Sequence, residues 1–320
     1  PYRDLELHRT DAVLLDSVIA ARYGLTKPDL ELADPDVARG SYVIGMRKGD
    51  DDLAAAVNSA LAELGGSGEL RRIYTRWHLP ELPSTPAPAV SASDESPRAT
   101  FDAAQVLLFV QSAGVTLVLS LLAMALAVPL GLLLALARLY ARRPIRFVAH
   151  AYVELFRGTP VLLQLYILYY GIAPLVHLSA LAAAILGLGL NYGAYEAEVH
   201  RAALQAVPEG QAEAAAALGL SRGQALRLVL LPQALRTALP AMTNDLIALL
   251  KDSSLVSVIT VVELTKQMTI TAVDVRSWAL PGALCAGLYF AMSYPLARVA
   301  ARLEARLEAA GEEPVMAVAA

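Results

Sequence analysis

The chain has 320 residues, of which 56% are hydrophobic and 18% charged, with a formal net charge of -4 and a mean hydropathy of +0.49. That balance is more apolar than an ordinary soluble domain and points to work in a bilayer. The lysines are Lys27, Lys48, Lys251 and Lys266, none followed by Ser or Thr, which excludes a Walker phosphate loop, and a lone cysteine, Cys285, excludes an internal disulfide. His8, His78, His150, His177 and His200 have no spacing that sets two on one helix face, so no metal site is expected.

In chain order, Asp11–Asp16 and Ser41–Arg47 are short apolar runs suited to buried strands. Residues 50–64 follow as an amphipathic helix with Leu53, Val57, Ala60, Leu61 and Leu64 on one stripe, ended by Gly65 and Gly66, and a further helix is expected from Ser67 to Trp77. Together these give a soluble α/β fragment over residues 1–78. Residue 1 is Pro, with no basic-plus-apolar leader ahead of a part that must be exported, so an N-terminal portion is expected to precede it. Residues 79–100 hold Pro80, Pro83, Pro86, Pro88 and Pro97 among Ser and Ala, the composition of an extended tether.

The remainder, residues 101–310, is expected to be a mainly α transmembrane domain, followed by a tail at 311–320. About 20 apolar residues cross the hydrocarbon core as a helix. Residues 103–137 carry no charge, 158–195 are long enough for two spans split near Gly171–Pro174, and 277–297 form another. Residues 239–262 make a fifth span only if Asn244, Asp245, Lys251 and Asp252 face protein or water. Arg138, Arg142, Arg143, Arg146 and Arg157 follow the first span against one acid, Glu154, whereas residues 171–180 hold no Lys or Arg. The positive-inside rule then puts the arginine segment, residues 201–236 and the C-terminus in the cytoplasm, and the first hundred residues outside.

Between the third and fourth spans lies EAAAALGLSRGQALRLVLLP, Glu213 to Pro232. Its Ala, Glu and Gln favour a helix with small side chains, Gly219 fits a left-handed stop, Ser221 with Gln224 has capping-box spacing, and Pro232 is expected to break the second helix. A plain connector hairpin remains an alternative. Within the spans, Asn191, Tyr195 and Glu198 share one helix face, suiting them to line a substrate path together with Asn244; alternatively Glu198 pairs with Arg201 at i,i+3, and Lys251 and Asp252 neutralise one another.

Glu213, Ala214, Ala215, Gly219, Val229, Leu231 and Pro232 match at every spacing the EAA loop of ABC importer permeases, with Val229 where Ile is usual. Arg157-Gly158-Thr159-Pro160 with Gln164, Ala194–Val199 leading to Gln205–Gln211, and Leu249–Ile259 resemble the polar amino-acid branch, the histidine, glutamine and arginine type; Ser253 stands where Thr is more usual. The resemblance covers about residues 101–310. It implies a permease subunit in the cell membrane that performs no covalent chemistry and binds no cofactor. ATP and Mg would belong to a separate ATPase dimer docked on residues 209–232 through Glu213, Ala214, Ala215, Gly219 and Pro232. A second permease subunit, an amino-acid substrate and membrane lipid are the other implied partners; nucleic acid is not among them.

The first segment is similar to the C-terminal part of a type 3 extracellular solute-binding protein, on Thr10–Asp16, Gly45–Asp50 and Gly68–Trp77. That likeness implies that Asp16 meets the α-ammonium of an amino acid; a helix cap at Ser17 is the alternative for the same carboxylate. The competing function is a membrane-tethered amino-acid receptor that signals to an intracellular partner without transport, although the tail after Ala297 is too short for a folded output domain.

Overall fold

The computed structural model describes residues 2–6, 10–24, 27–31, 33, 44–47, 49–77 and 101–311. The chain divides into two units, Pro1–Ser96 and Pro97–Ala320.

In the first unit, short helices α1 (Tyr2–Glu6) and α2 (Ser17–Ile19) precede α3 (Asp51–Gly66) and α4 (Glu69–Arg76). The two expected helices form. The expected strands do not: no strand occurs among the described residues, where 12–16 and 44–47 run without regular structure, and residues 41–43 lie outside them. A strand needs a ladder partner for its N–H and C=O groups, and neither run meets one among the described residues. Gly65 and Gly66 stay helical, and the left-handed residue between α3 and α4 is Gly68, at φ 76°. Leu53, Leu61, Leu64 and Ile73 of these helices are exposed.

The second unit begins with α5 (Ala103–Tyr140), started by Asp102, whose side chain accepts the Gln105 N–H at 3.1 Å. At 38 residues it is about 57 Å long, well beyond the roughly 30 Å hydrocarbon core. It is followed by α6 (Arg143–Gly158), α7 (Val161–Tyr166) with a π turn to Gly171, and α8 (Ala180–Ala206). The apolar tract at 158–195 therefore does divide after Gly171, but its first half yields a helix of only Val161–Gly171. Next come α9 (Glu209–Ala217), α10 (Arg222–Ala225), α11 (Leu231–Asp252), α12 (Leu264–Asp274) and α13 (Ala279–Gly311). Among the described residues, two helices are long and apolar enough to cross a membrane by length and composition alone, α5 and Ala279–Leu307 of α13.

The core is the packing of α5 on α8. Leu119, Ala123, Met124 and Ala127 of α5 meet Ala183, Ala184, Leu188 and Tyr192 of α8, with Leu165, Leu249, Val256 and Ile259 closing the cluster. Glycine makes this approach possible. A Cβ at Gly131 would stand 2.8 Å from the backbone N of Ala197, and one at Gly193 would stand 2.7 Å from a methyl of Leu130. Small residues at such crossings bring helix backbones close enough for dispersion to hold them where the hydrophobic effect is weak.

Candidate functional site

Two features of the second unit carry chemistry. The first is the segment between α8 and α11. α8 ends at Ala206, Pro208 stands at the N-cap of α9, and α9 runs to Ala217. Gly219 then takes φ 79°, a conformation that costs an L side chain about 1–2 kcal/mol, and Leu220 N–H returns to the Ala215 carbonyl at 3.1 Å. Ser221 and Gln224 form the reciprocal capping box that starts α10. Pro232, expected to break the second helix, does not. The chain passes from α10 through a π turn at Leu226–Leu230 into α11, and Pro232 sits in the first turn of α11, where no intrahelical partner is needed for its missing N–H. Gln233 ties the corner by donating to Gln211 at 3.2 Å and to the Val229 carbonyl at 3.0 Å.

The exposed side of this corner includes Glu213, Ala214, Gly219 and, at 82% exposure, Leu218, whereas Ala215 is buried within it. A compact helix thus stands off the bundle with a large apolar side chain at its tip.

The second feature is a cavity of about 470 Å³ between the end of α6, the start of α7, the middle of α8 and the C-terminal part of α11. Arg157, Thr159, Asn191, Tyr192, Asp245 and Asp252 are among its walls, and Tyr195 lines it as well. The Arg157 guanidinium lies 5.6 Å from the Tyr195 ring centre. Asp252 accepts a hydrogen bond from Tyr192 Oη at 2.8 Å, so the expected pairing of Lys251 with Asp252 gives way to one with a residue 60 positions earlier. Asn191 is held by its own bonds, donating to the Phe156 carbonyl at 3.0 Å and to Gln164 Oε1 at 3.1 Å. One cationic and two acidic side chains face a space bounded by tyrosines, a combination able to meet a zwitterion at both charged ends.

Of the expected path residues, Asn191 and Tyr195 line this cavity. Glu198 does not: Arg138 Nη1 lies 2.7 Å from its Oε1, Arg157 Nη1 3.3 Å from the same oxygen, and Arg201 Nη2 2.7 Å from Oε2. Asn244 does not line it either and faces outward from α11. In the first unit, Asp16 accepts the Val18 N–H at 2.8 Å, the geometry of a cap on α2. No three His, Cys, Asp or Glu side chains among the described residues converge to hold a metal ion.

Residues 127–309 match the family model described as "Binding-protein-dependent transport system inner membrane component". The chain belongs to this family. The probable amino-acid ABC transporter permease protein YckA of Bacillus subtilis (strain 168) is 41% identical over 162 residues, 50% of this chain and 72% of that protein. The putative glutamine transport system permease protein GlnP of Rickettsia bellii (strain RML369-C) is 34% identical over 188 residues, 58% and 86% of the two chains. A crystal structure of an amino acid ABC transporter with histidines superposes at TM-score 0.59 and 37% identity, covering 65% of this chain and all of that one. The inward-facing MetNI methionine ABC transporter superposes at 0.56 with 24% identity, which speaks to fold alone. This chain is therefore an amino-acid type ABC transporter permease by family and by fold. The matched region contains both the α9–Gly219–α10 corner and the cavity.

Among the cavity residues that escaped the pattern reading, three carry a charge or an aromatic hydroxyl. Tyr192 was hidden because it sits next to Asn191 on an apolar helix, Arg157 because it reads as a positive-inside charge, and Asp252 because Lys251 beside it supplies a ready neutraliser. An aromatic hydroxyl inside an uncharged span was the available signal, since a buried Tyr Oη needs a partner.

Proposed function

We propose that this permease carries a polar amino acid across the cytoplasmic membrane, driven by ATP that a separate pair of ATPase subunits binds with Mg and hydrolyses. The observation that carries the reading is the helix, left-handed glycine and capped helix between α8 and α11, which presents a short helix with an apolar tip to a groove on a partner. Glu213, Ala214, Ala215, Gly219 and Pro232 form this coupling element, and a second permease subunit completes the translocation path. Five spans are proposed, on α5, α8, α11, α13 and on α7 completed by the end of α6, since Val161–Gly171 is too short to cross alone; they put the corner and the C-terminus in the cytoplasm and the first unit outside. Residues 1–78 act as a receptor fragment with Asp16 toward an amino acid's ammonium, 79–100 as a tether, 101–310 as the permease and 311–320 as a tail.

The polar cavity supports an amino-acid cargo, with Asp252 and Asp245 suited to the α-ammonium and Arg157 to the α-carboxylate. The test is co-reconstitution in vesicles with the ATPase and a soluble receptor, followed by uptake of labelled histidine, glutamine and arginine with and without ATP. ATP-dependent uptake of one of them is expected. Asp252→Asn should raise the KM for that amino acid tenfold or more, as expected for loss of a charge-assisted bond of about 1.5–3 kcal/mol. Uptake that ignores ATP would sink the coupling role, and an unchanged KM would remove Asp252 from the path.

A further inference from the structure

At the far end of α5 from Asp102 lies a second cavity, about 440 Å³, lined by Arg138, Arg143, Arg146, Phe147, His150 and Arg201. Four arginines contribute to its walls. The carboxylate in contact with them is Glu198, which holds Arg138 and Arg201 and is shared with Arg157 outside the cavity. Arg146 donates to the Ala141 carbonyl at 3.2 Å, and neither it nor Arg143 has a carboxylate partner among the described residues. Glu154, the other acid of α6, does not line the cavity. Four arginines thus gather here against one carboxylate, Glu198.

The helix that carries half of this lining has three distinct sides. Ala149 and Val153 are buried against the bundle. Arg143, Arg146 and His150 share one flank at i, i+3 and i+7, and Ile145, Val148 and Leu155 share the opposite one, where they are 56%, 66% and 60% exposed. The start of such a helix, with a basic flank opposed to an exposed apolar flank, is suited to the membrane interface, its cations at headgroup depth.

We propose that the cavity binds the phosphate of an anionic phospholipid, whose acyl chains pass into the hydrocarbon beside α6. Two arginines already fixed by Glu198 form a preorganised floor, and Arg143 and Arg146 close on the phosphate from α6 with their bidentate donors. Basic pockets on the cytoplasmic side of membrane helices suit such headgroups. The proposal rests on the membrane orientation given above, and the test reads lipid affinity without transport, so it can fail while the permease reading stands.

The full chain, delipidated in detergent, would be titrated with dioleoylphosphatidylglycerol, with dioleoylphosphatidylcholine, and with inorganic phosphate, and bound lipid read by native mass spectrometry. Phosphatidylglycerol should bind at least tenfold more tightly than phosphatidylcholine. Arg143→Gln with Arg146→Gln should weaken it about 25-fold, at roughly fivefold per arginine near a headgroup. The Lys pair at the same positions should keep most of the affinity, and Arg302→Gln on α13, which does not line the cavity, should keep all of it. Equal binding of the two lipids, an unchanged Gln pair, displacement of phosphatidylglycerol by an equal concentration of inorganic phosphate, or a dimer mass that excludes lipid would each overturn the proposal.

Discussion

At Glu198 one carboxylate serves three guanidiniums, and their geometries are unequal. Arg138 sits at 2.7 Å with its side chain 12% exposed, Arg157 at 3.3 Å and 41% exposed. A hydrogen bond to a charged group is worth about 1.5–3 kcal/mol when shielded and far less when solvent screens it. Arg138→Gln should therefore lower the thermal midpoint of the purified chain more than Arg157→Gln does. Glu198→Gln should exceed both, by about 2 kcal/mol or a fall of roughly 4–8 °C, because it leaves three cations facing one another. Equal midpoints for the two arginine variants would show that the cluster is a solvated surface network. Sequence spacing exposes only the Arg201 contact, at i,i+3; Arg138 is 60 residues away, and no local rule reaches that far.

Among the elements, the α9–Gly219–α10 corner was legible in detail because caps and left-handed glycines are local devices, each decided by two or three neighbouring residues. Pro232 misled because proline reads as a breaker unless one knows that a helix starts there. Gly219 has open space around an added Cβ, so substitution is limited by its φ of 79° and by whatever docks against it. Gly219→Val should leave the folded bundle within about 2 kcal/mol of wild type while reducing ATPase pull-down and ATP-driven uptake together; normal pull-down with normal uptake would remove the corner from coupling. The opposite behaviour is expected at Gly131, where the neighbour is the backbone of α8. Gly131→Val must push α5 and α8 apart, and a loss of about 1–3 kcal/mol, seen as a lower thermal midpoint and poor yield from the membrane, is the expected result. A full-strength Gly131→Val protein would mean that the crossing is looser than the structure has it. This close approach had no sequence signature beyond glycines in an apolar helix, since their partners lie in a helix some 60 residues away.

For the whole molecule, composition carried the membrane reading and the mainly helical class, because total apolar content and long uncharged tracts are sums that survive ignorance of packing. It did not carry the strands of the first unit, where a short apolar run is compatible with a strand and the decision depends on a ladder partner from elsewhere in the fold. Span counting was limited in the same way: α8 and α11 keep Asn191, Glu196, Glu198, Asp245 and Asp252, which a hydropathy sum penalises although neighbouring helices give several of them partners. The proposed orientation, by contrast, rests on arginines outside the helices' apolar runs and can be tested directly. His177, in the connection between the π turn at Gly171 and α8, and Arg222, at the start of α10, are both exposed, so a cysteine at either site should react with whichever solution it meets. On a Cys285→Ala background, a membrane-impermeant maleimide added to intact cells should label His177→Cys and leave Arg222→Cys untouched until the cells are opened. Two consecutive helices, α8 and α9, lie between the two positions, and of these α8 alone, at 27 residues, is long enough to cross. The two thiols must therefore report opposite sides if α8 spans. Labelling of both from outside would put α8 in one compartment, and the reversed pattern would invert every span and place the α9–α10 corner where no ATPase could reach it.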